Sequence, residues 1–168
     1  FRKLLDSNYK ANRKKQEHPK LLFQMHEHIA EIYSTKNSYG VETDDLVATY
    51  WKTLTDELGH NNVIIVSIDK DYKQLPCLIY NYHYKHQEII NISPCEALYN
   101  FYEQMIIGDS SDNVNYCKGY GKVYAKKLFK DCKSNYQFTK KTYELFKTIY
   151  KSKAKLKYIQ CYNLLKLR

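Results

Sequence analysis

The sequence predicts an α/β protein in which a mostly parallel sheet is followed by a helical region. The first observation is a short β-branched apolar run at residues 63–66, typical of a strand buried on both faces of a parallel sheet. The second is helical periodicity throughout the chain beyond Asn113. The third is that 43% of the 168 residues are hydrophobic, which excludes a disordered chain, while no apolar run is long enough to cross a membrane.

Taken in order, the elements follow from periodicity and from helix start and stop signals. Apolar residues recur at helical spacing over residues 18–36 and again over residues 42–58, where Gly59 ends the helix. Strands are expected at residues 78–82 and 87–92, joined by a hairpin turn at 82–85. Ser93, Pro94 and Glu96 predict a capped helix start, and that helix runs to Ile107. Breaks near 118–121 and 134–136 divide the remaining helical region.

The net charge of +9 is divided unevenly along the chain. Residues 1–40 carry 8 basic and 4 acidic side chains, residues 41–112 carry 4 and 12, and residues 113–168 carry 15 and 2. Two basic flanks suit a polyanion such as nucleic acid. The acidic centre would repel that polyanion unless divalent cations neutralise it, so the charge pattern favours a metal site within a nucleic-acid-binding surface. An ordinary solvated surface remains the alternative.

The acids of the central segment form three clusters at the ends of predicted elements. Ligand-binding groups in open α/β sheets gather at the carboxyl ends of strands, where the second cluster lies. Acids in a first helical turn also offset the helix dipole, and this simpler role stays open for the first cluster. The clusters are Glu42, Asp44 and Asp45; Asp69 and Asp71; and Asp109 and Asp112.

Converging carboxylates cannot all stay ionised without cations. Sites rich in carboxylate oxygen suit Mg²⁺ or Mn²⁺, and two such ions close together catalyse phosphodiester cleavage. The sequence therefore predicts a divalent-metal site, provided that the three clusters meet in space.

A Gly-x-Gly turn with lysines on both sides precedes a predicted helix. Glycines allow close approach to a phosphate, and the N–H groups of the helix start can bind it, so the turn is interpreted as a grip on a nucleic-acid backbone. An ordinary helix–helix turn is the alternative. The residues concerned are Lys118, Gly119, Gly121, Lys122, Lys126 and Lys127.

The acidic segments 41–46, 67–75 and 107–113 resemble, in order and spacing, the 5′-nuclease (flap endonuclease) family. The likeness is strongest to bacteriophage 5′–3′ exonucleases and to the 5′-nuclease domain of bacterial DNA polymerase I. Segment 119–125 resembles the family's helix–three-turn–helix motif, and residues 1–2 and 9–13 resemble the stretch entering its helical arch.

This resemblance implies a PIN-like catalytic core at residues 1–92, with an arch segment at 1–36 and a sheet incomplete at its N-terminal side. A helical DNA-binding region would follow at 93–168, with a helix–hairpin–helix-like turn at 115–128. It also implies two Mg²⁺ or Mn²⁺ ions. Glu42, Asp44 and Asp45 would serve the first metal site or its water shell, and Asp69 and Asp71 would bridge towards the second, which Asp109 and Asp112 complete. Lys10 would contact the scissile phosphate with Arg13 and Arg2 nearby, Tyr9 would stack on or pack near the substrate strand, and K⁺ would bind at the turn.

Two departures from the family pattern are visible. The turn has Asn115-Tyr116 where Pro-Gly is usual and Val123-Tyr124 where Lys-Thr is usual, which puts the strength of the duplex grip in question. Two strands carrying metal-binding Asp residues would precede Phe1. The expectation is therefore that residues 1–168 alone expose an apolar sheet edge and cleave weakly or not at all.

The leading hypothesis is a divalent-metal-dependent 5′–3′ exonuclease or flap endonuclease acting on DNA, or on RNA primers, in replication or repair. The alternatives are a catalytically inactive DNA-binding fragment of such a nuclease and a non-catalytic acidic cation-binding protein. The expected partners are DNA with 5′ ends or flaps, RNA–DNA hybrids and a DNA polymerase, but no membrane. The protein is expected to be monomeric and cytoplasmic, in a bacterial or phage-infected cell.

Overall fold

The computed structural model describes residues 1–13 and 18–168. The helices are α1 (Arg2–Leu5), α2 (Leu22–Ile32), α3 (Thr43–Leu58), α4 (Pro94–Ile107), α5 (Lys122–Phe129), α6 (Asn135–Tyr150) and α7 (Ala154–Leu165). The strands are β1 (Ile64–Val66), β2 (Leu78–Asn81) and β3 (Glu88–Asn91), and single 3-10 turns occupy His60–Asn62, Lys70–Gln74 and Lys151–Lys153. Across these described ranges, no helix combines the length and apolar character that a membrane span requires.

The sheet is mixed, with the strand order β1-β2-β3. β1 runs parallel to β2, with Ile65 opposite Ile79, and β2 runs antiparallel to β3, with Ile79 opposite Ile90. The expected hairpin after β2 explains the antiparallel pair, because so short a connection cannot join parallel strands. The mostly parallel sheet of the sequence prediction is thus reduced to one parallel and one antiparallel pair among the described strands.

Strand β1 is an edge strand with one covered face, so the prediction that both its faces are buried is wrong. Ile65 is 7% exposed, whereas Ile64 and Val66 on the opposite face are 43% and 60% exposed. A run of apolar residues conceals this alternation, since both faces of the strand have the same side-chain chemistry. Ile64 and Val66 therefore form an exposed apolar face on the first strand of the sheet order.

Two hydrophobic cores share helix α4. The sheet core joins Ile65 and Ile79 to Ala97 near the start of α4, and it includes Leu167 beyond α7. The helical core is built from aromatic and aliphatic side chains of α4 to α7, among them Phe101, Tyr102, Met105, Phe138 and Phe146. Because α4 contributes to both cores, the domain boundary at residues 92/93 stays a prediction.

Helix α4 begins and ends as its sequence predicts. Ser93 and Glu96 form a capping box, with Pro94 in the first turn. Gly108 ends the helix at a φ of 77° and leads into a tight loop, in which the backbone N–H of Asp109 donates to Val114 O at 2.7 Å. A Cβ on Gly108 would lie 2.2 Å from Val114 O, so only glycine fits there. This close approach fixes the position of Asp109.

Replacing Gly108 with alanine should destabilise the protein by about 3 kcal/mol. Roughly 1–2 kcal/mol comes from the left-handed backbone and the rest from the displaced loop. Gly40→Ala is the matched control, because Gly40 has a similar φ of 74° but nothing within 4 Å of the added Cβ. Urea denaturation of both variants checks this, and equal losses for the two would contradict the close approach at Gly108.

Candidate functional site

The three acidic clusters meet around one open pocket of about 570 Å³. The pocket is lined by the start of α3, by the segment after β1 and by the loop after α4. Its charged lining consists of Glu42, Asp44, Asp69, Asp71 and Asp112 together with Lys10, Arg13 and Lys70. Residues that are distant in sequence therefore form a single site with five carboxylates and three cations.

Residues of the N-terminal segment reach across the pocket to two of these clusters. The Lys10 ammonium forms an ion pair with Glu42 and lies 3.9 Å from Asp112 Oδ2. The Tyr9 hydroxyl donates to Asp112 Oδ2 at 2.7 Å, and Arg13 Nη2 donates to Asp112 Oδ1 at 2.7 Å. Burial raises the pKa of Tyr9, and the hydrogen bond to Asp112 raises it further, so the hydroxyl remains a proton donor. Tyr9 is only 3% exposed and offers no ring face to a bound strand.

Asp109 lies behind the pocket, 2% exposed, and is held as an anion. Lys70 Nζ lies 2.8 Å from its Oδ2, and the Ser111 backbone N–H donates to its Oδ1 at 2.8 Å. Burial alone would raise the pKa of Asp109, but the donors from Lys70 and Ser111 outweigh it and lower the pKa to about 2. Asp109 is therefore ionised at neutral pH.

The pKa of Asp71 is shifted in the opposite direction from that of Asp109. Burial and the charges of Asp69 and Asp109 raise the pKa of Asp71 to about 6, although the side-chain amide of Gln104 opposes the shift. Gln104 Nε2 donates to Asp71 Oδ1 at 2.9 Å and to Asp109 Oδ2 at 3.0 Å. Its Oε1 accepts a hydrogen bond of 2.8 Å from Gln74. One neutral amide thus separates two carboxylates that would otherwise repel each other.

The remaining pocket acids also have local structural roles. Asp69 Oδ1 accepts from the Asp71 backbone N–H at 2.9 Å and caps the 3-10 turn after β1. Asp44 Oδ1 accepts from the Asp45 backbone N–H at 2.8 Å in the first turn of α3. Burial raises the pKa of Asp44. Carboxylates that cap a turn and also open to a pocket keep free oxygen lone pairs on the solvent side.

Asp45 and Arg2 do not line the pocket. Arg2 Nη1 and Nη2 donate to the two oxygens of Asp45 at 2.7 and 2.8 Å, and the Arg168 backbone N–H adds a bond of 3.1 Å. Both side chains are nearly inaccessible, with Arg2 3% and Asp45 6% exposed. The structure gives this pair a buried ionic contact, and their expected roles in metal and phosphate contact stay predictions. The pair ties α1 to α3.

Among residues 1–13 and 18–168, no three His, Cys, Asp or Glu side chains gather closely enough to form a metal-holding group. Lysine ammonium groups lie between the carboxylates instead, at Glu42 and Asp109. The donor set nevertheless fits a hard divalent cation, which prefers carboxylate oxygen. Asp71 supports the fit, because a carboxyl whose pKa is raised by burial and by neighbouring anions gains stability from an added cation.

The Gly-x-Gly turn adjoins the acidic pocket. Lys122, the first residue of α5, lines a second cavity of about 230 Å³ together with Lys70 and Asp71. Among the residues that the structure describes, no side chain caps the start of α5, and the N–H groups of its first turn have no side-chain acceptor there. The lysines of the turn and of α5 are all exposed, namely Lys118, Lys122, Lys126 and Lys127. The acidic pocket and this second cavity thus share Lys70 and Asp71 as lining residues.

Sequence reasoning missed Gln74, Gln104 and the role of Lys70. The signal for Gln104 is its place among buried residues of α4, between Phe101 and Met105, where a polar side chain requires a partner. No comparable signal marks Gln74, which lies in an irregular segment without periodicity.

The fold and the site define an α/β protein with an acidic pocket beside its sheet. A family model described as the 5′-3′ exonuclease N-terminal resolvase-like domain matches residues 1–102, and the chain belongs to this family. The resolvase-like domain fits a PIN-like fold, and the resemblance inferred from the acidic segments is confirmed. The family is one of nucleases, in general dependent on divalent metals, so nucleic acid is the substrate class. A comparison with curated proteins finds no match.

Gln104→Leu should reduce the free energy of unfolding by about 1–3 kcal/mol. The variant leaves Asp71 and Asp109 facing each other without the shared donor, and it removes one of the two acceptors of the Gln74 amide. Gln24→Leu on the exposed face of α2 is the control and should change stability by less than about 0.5 kcal/mol. Urea denaturation measures both, and similar small effects would show that the amide is not the link between the two acids.

Proposed function

We infer that this protein is a divalent-metal-dependent 5′–3′ exonuclease or flap endonuclease that hydrolyses phosphodiester bonds of DNA, or of RNA primers, in replication or repair. The observation that carries the proposal is the convergence of three acidic clusters in one pocket beside a basic turn. Membership of the 5′-3′ exonuclease family supports the reaction class. The charge pattern supports a polyanionic substrate.

Five pocket carboxylates are the candidates to hold metal: Glu42, Asp44, Asp69, Asp71 and Asp112. Bound there, Mg²⁺ or Mn²⁺ would supply a nucleophilic hydroxide at neutral pH and stabilise charge on the leaving oxygen. Asp109 supports the site from behind, through Gln104 and Lys70.

The chain's own cations would orient the scissile phosphate. Lys10 and Arg13 lie at the pocket rim, bound to Glu42 and Asp112, from which their charged ends reach a phosphate by side-chain rotation. Tyr9 keeps its proton and holds Asp112 in place. Such fixed cations stabilise the charge that develops on a phosphate during attack.

The basic turn supports binding of a duplex beside the site. Gly119 and Gly121 bring backbone N–H groups to the surface, and the lysines around them would contact phosphates, with K⁺ as a further ligand of the turn. We propose DNA with 5′ ends or flaps as the substrate, with RNA–DNA hybrids as a further class. A monomer in the cytoplasm, working alongside a DNA polymerase, fits this use.

A second candidate is a DNA-binding protein that does not cleave. The observation that favours it is that lysines, in the described residues, pair with the acids that a metal would need. The two candidates share the basic turn and differ only in the use of the acidic pocket, so a binding assay and a cleavage assay on the same substrate separate them.

Asp71→Asn should lower the cleavage rate of a 5′-flap DNA substrate in Mg²⁺ by at least about 100-fold, because it removes a metal-facing charge while preserving side-chain shape. Substrate binding in Ca²⁺ should stay within about threefold of the original protein. Mn²⁺ affinity, measured by titration without DNA, should fall in parallel.

Asp56→Asn is the matched control, since Asp56 is an exposed acid of α3 that pairs with Lys52 on the same helix. It should leave cleavage, binding and Mn²⁺ affinity unchanged. Cleavage by Asp71→Asn at the unaltered rate would remove Asp71 from the metal site. Tight flap binding without any cleavage by the unsubstituted protein would instead select the second candidate.

A further inference from the structure

We propose that the corner between α6 and α7 is a second binding surface for the phosphate backbone of a nucleic-acid duplex, continuous with the Gly-x-Gly turn. This inference rests on the proposed function and extends it to residues beyond the turn. The α6–α7 corner is defined by its five lysines: Lys147, Lys151, Lys153, Lys155 and Lys157. Four of them are exposed, and Lys157 is half-buried.

The corner carries positive charge without compensation. No Asp or Glu occurs anywhere from residue 145 to residue 168. Within the part of the chain that the structure describes, none of the five lysines forms a salt bridge. Mutual repulsion of these ammonium groups disfavours the folded state, so their grouping points to an anionic partner.

Helix stability does not explain the two lysines at the start of α7, whereas Lys147 in the last turn of α6 suits the dipole of that helix. Lys153 is the N-cap of α7 and Lys155 lies in its first turn, where there is no acid. Positive charge near a helix N-terminus opposes the helix dipole. Acidic or neutral residues would serve α7 better at both positions, so the lysines are placed against the local preference of the fold.

Tyr116 joins the corner to the Gly-x-Gly turn. The Tyr150 hydroxyl at the end of α6 donates to Tyr116 O at 2.5 Å, and Lys157 Nζ lies 5.6 Å from the Tyr116 ring centre. Tyr116 is buried and comes two residues before Lys118. The Asp6 carboxylate, which faces the other side of Tyr116, accepts a hydrogen bond from the Tyr116 hydroxyl at 3.1 Å. The corner and the turn are thus held side by side through one buried tyrosine.

Continuity with the turn identifies the ligand as a nucleic-acid duplex. A duplex presents phosphates at regular spacing over many ångströms, so a protein that contacts it at the turn meets further phosphates at an adjacent basic surface. An anionic membrane or an acidic protein would explain the corner alone but not its attachment to the turn.

The test uses Lys153→Gln/Lys155→Gln in the full chain, with Lys52→Gln/Lys85→Gln as a control of equal charge on α3 and in the β2–β3 turn. Binding of a labelled 5′-flap duplex is measured in Ca²⁺ over a series of KCl concentrations. The corner variant should bind about tenfold more weakly at 0.1 M salt, and its salt slope should fall by about 1.8, which is 0.9 for each lost phosphate contact. The control should keep the original slope.

Thermal melting separates this loss from misfolding, because removing two cations beside the start of α7 should leave Tm equal or slightly higher. An unchanged slope for the corner variant, while the original protein binds the duplex, would overturn the inference and leave the proposed function standing. Absence of duplex binding by the original protein would overturn both. Corner-dependent binding to phosphatidylserine vesicles, with duplex binding unaffected, would replace the duplex with a membrane.

Discussion

The structure depends on one constraint: carboxylates removed from water require donors, and the chain supplies them from distant segments. The Arg2–Asp45 contact is the clearest case. Two short bonds between buried groups join α1 to the first turn of α3, and Arg2 also donates to Lys166 O at 3.0 Å. A buried pair of this kind adds little net stability, but losing one partner costs about 3–5 kcal/mol, since the other charge is then stranded. The contact therefore fixes where α3 begins, and with it the direction in which Glu42 and Asp44 face.

A second set of donors connects the acids to the end of the chain. Gln104 contacts Asp71 and Asp109, and Gln74 in turn donates to Leu165 O at 2.9 Å and accepts from the Leu167 backbone N–H. Residues 165–168 thus support the acidic pocket from behind, although they lie outside the region that the family model matches. The helical part of the chain therefore contributes to the structure that supports the pocket.

Local sequence signals predicted the elements well where one segment determines its own structure. The capping box at Ser93, the stop at Gly108 and the hairpin after β2 all depend on neighbouring residues only. The sequence predictions were wrong or incomplete where the environment of a side chain depends on residues that are distant in sequence. The apolar run of β1 does not reveal which face is covered, and the acid-rich start of α3 does not reveal that Asp45 turns towards Arg2. The grouping of the acidic clusters was predictable as a hypothesis, but the amide that separates two of them was not.

The lysines placed among the acids reduce the repulsion between the acidic pocket and a polyanion. Lys10 and Lys70 neutralise Glu42 and Asp109 in the protein alone, so the pocket does not hold its full negative charge before a ligand arrives. A divalent cation would take over this neutralisation and release the ammonium groups towards a phosphate. The same side chains would then stabilise the pocket in the protein alone and attract the substrate once metal binds, so that metal binding and phosphate binding would favour each other. Asp71 differs from Glu42 and Asp109 in the kind of partner it has. It has the Gln104 amide as a hydrogen-bond partner, and burial together with neighbouring anions raises its pKa, so added positive charge there would stabilise its ionised form.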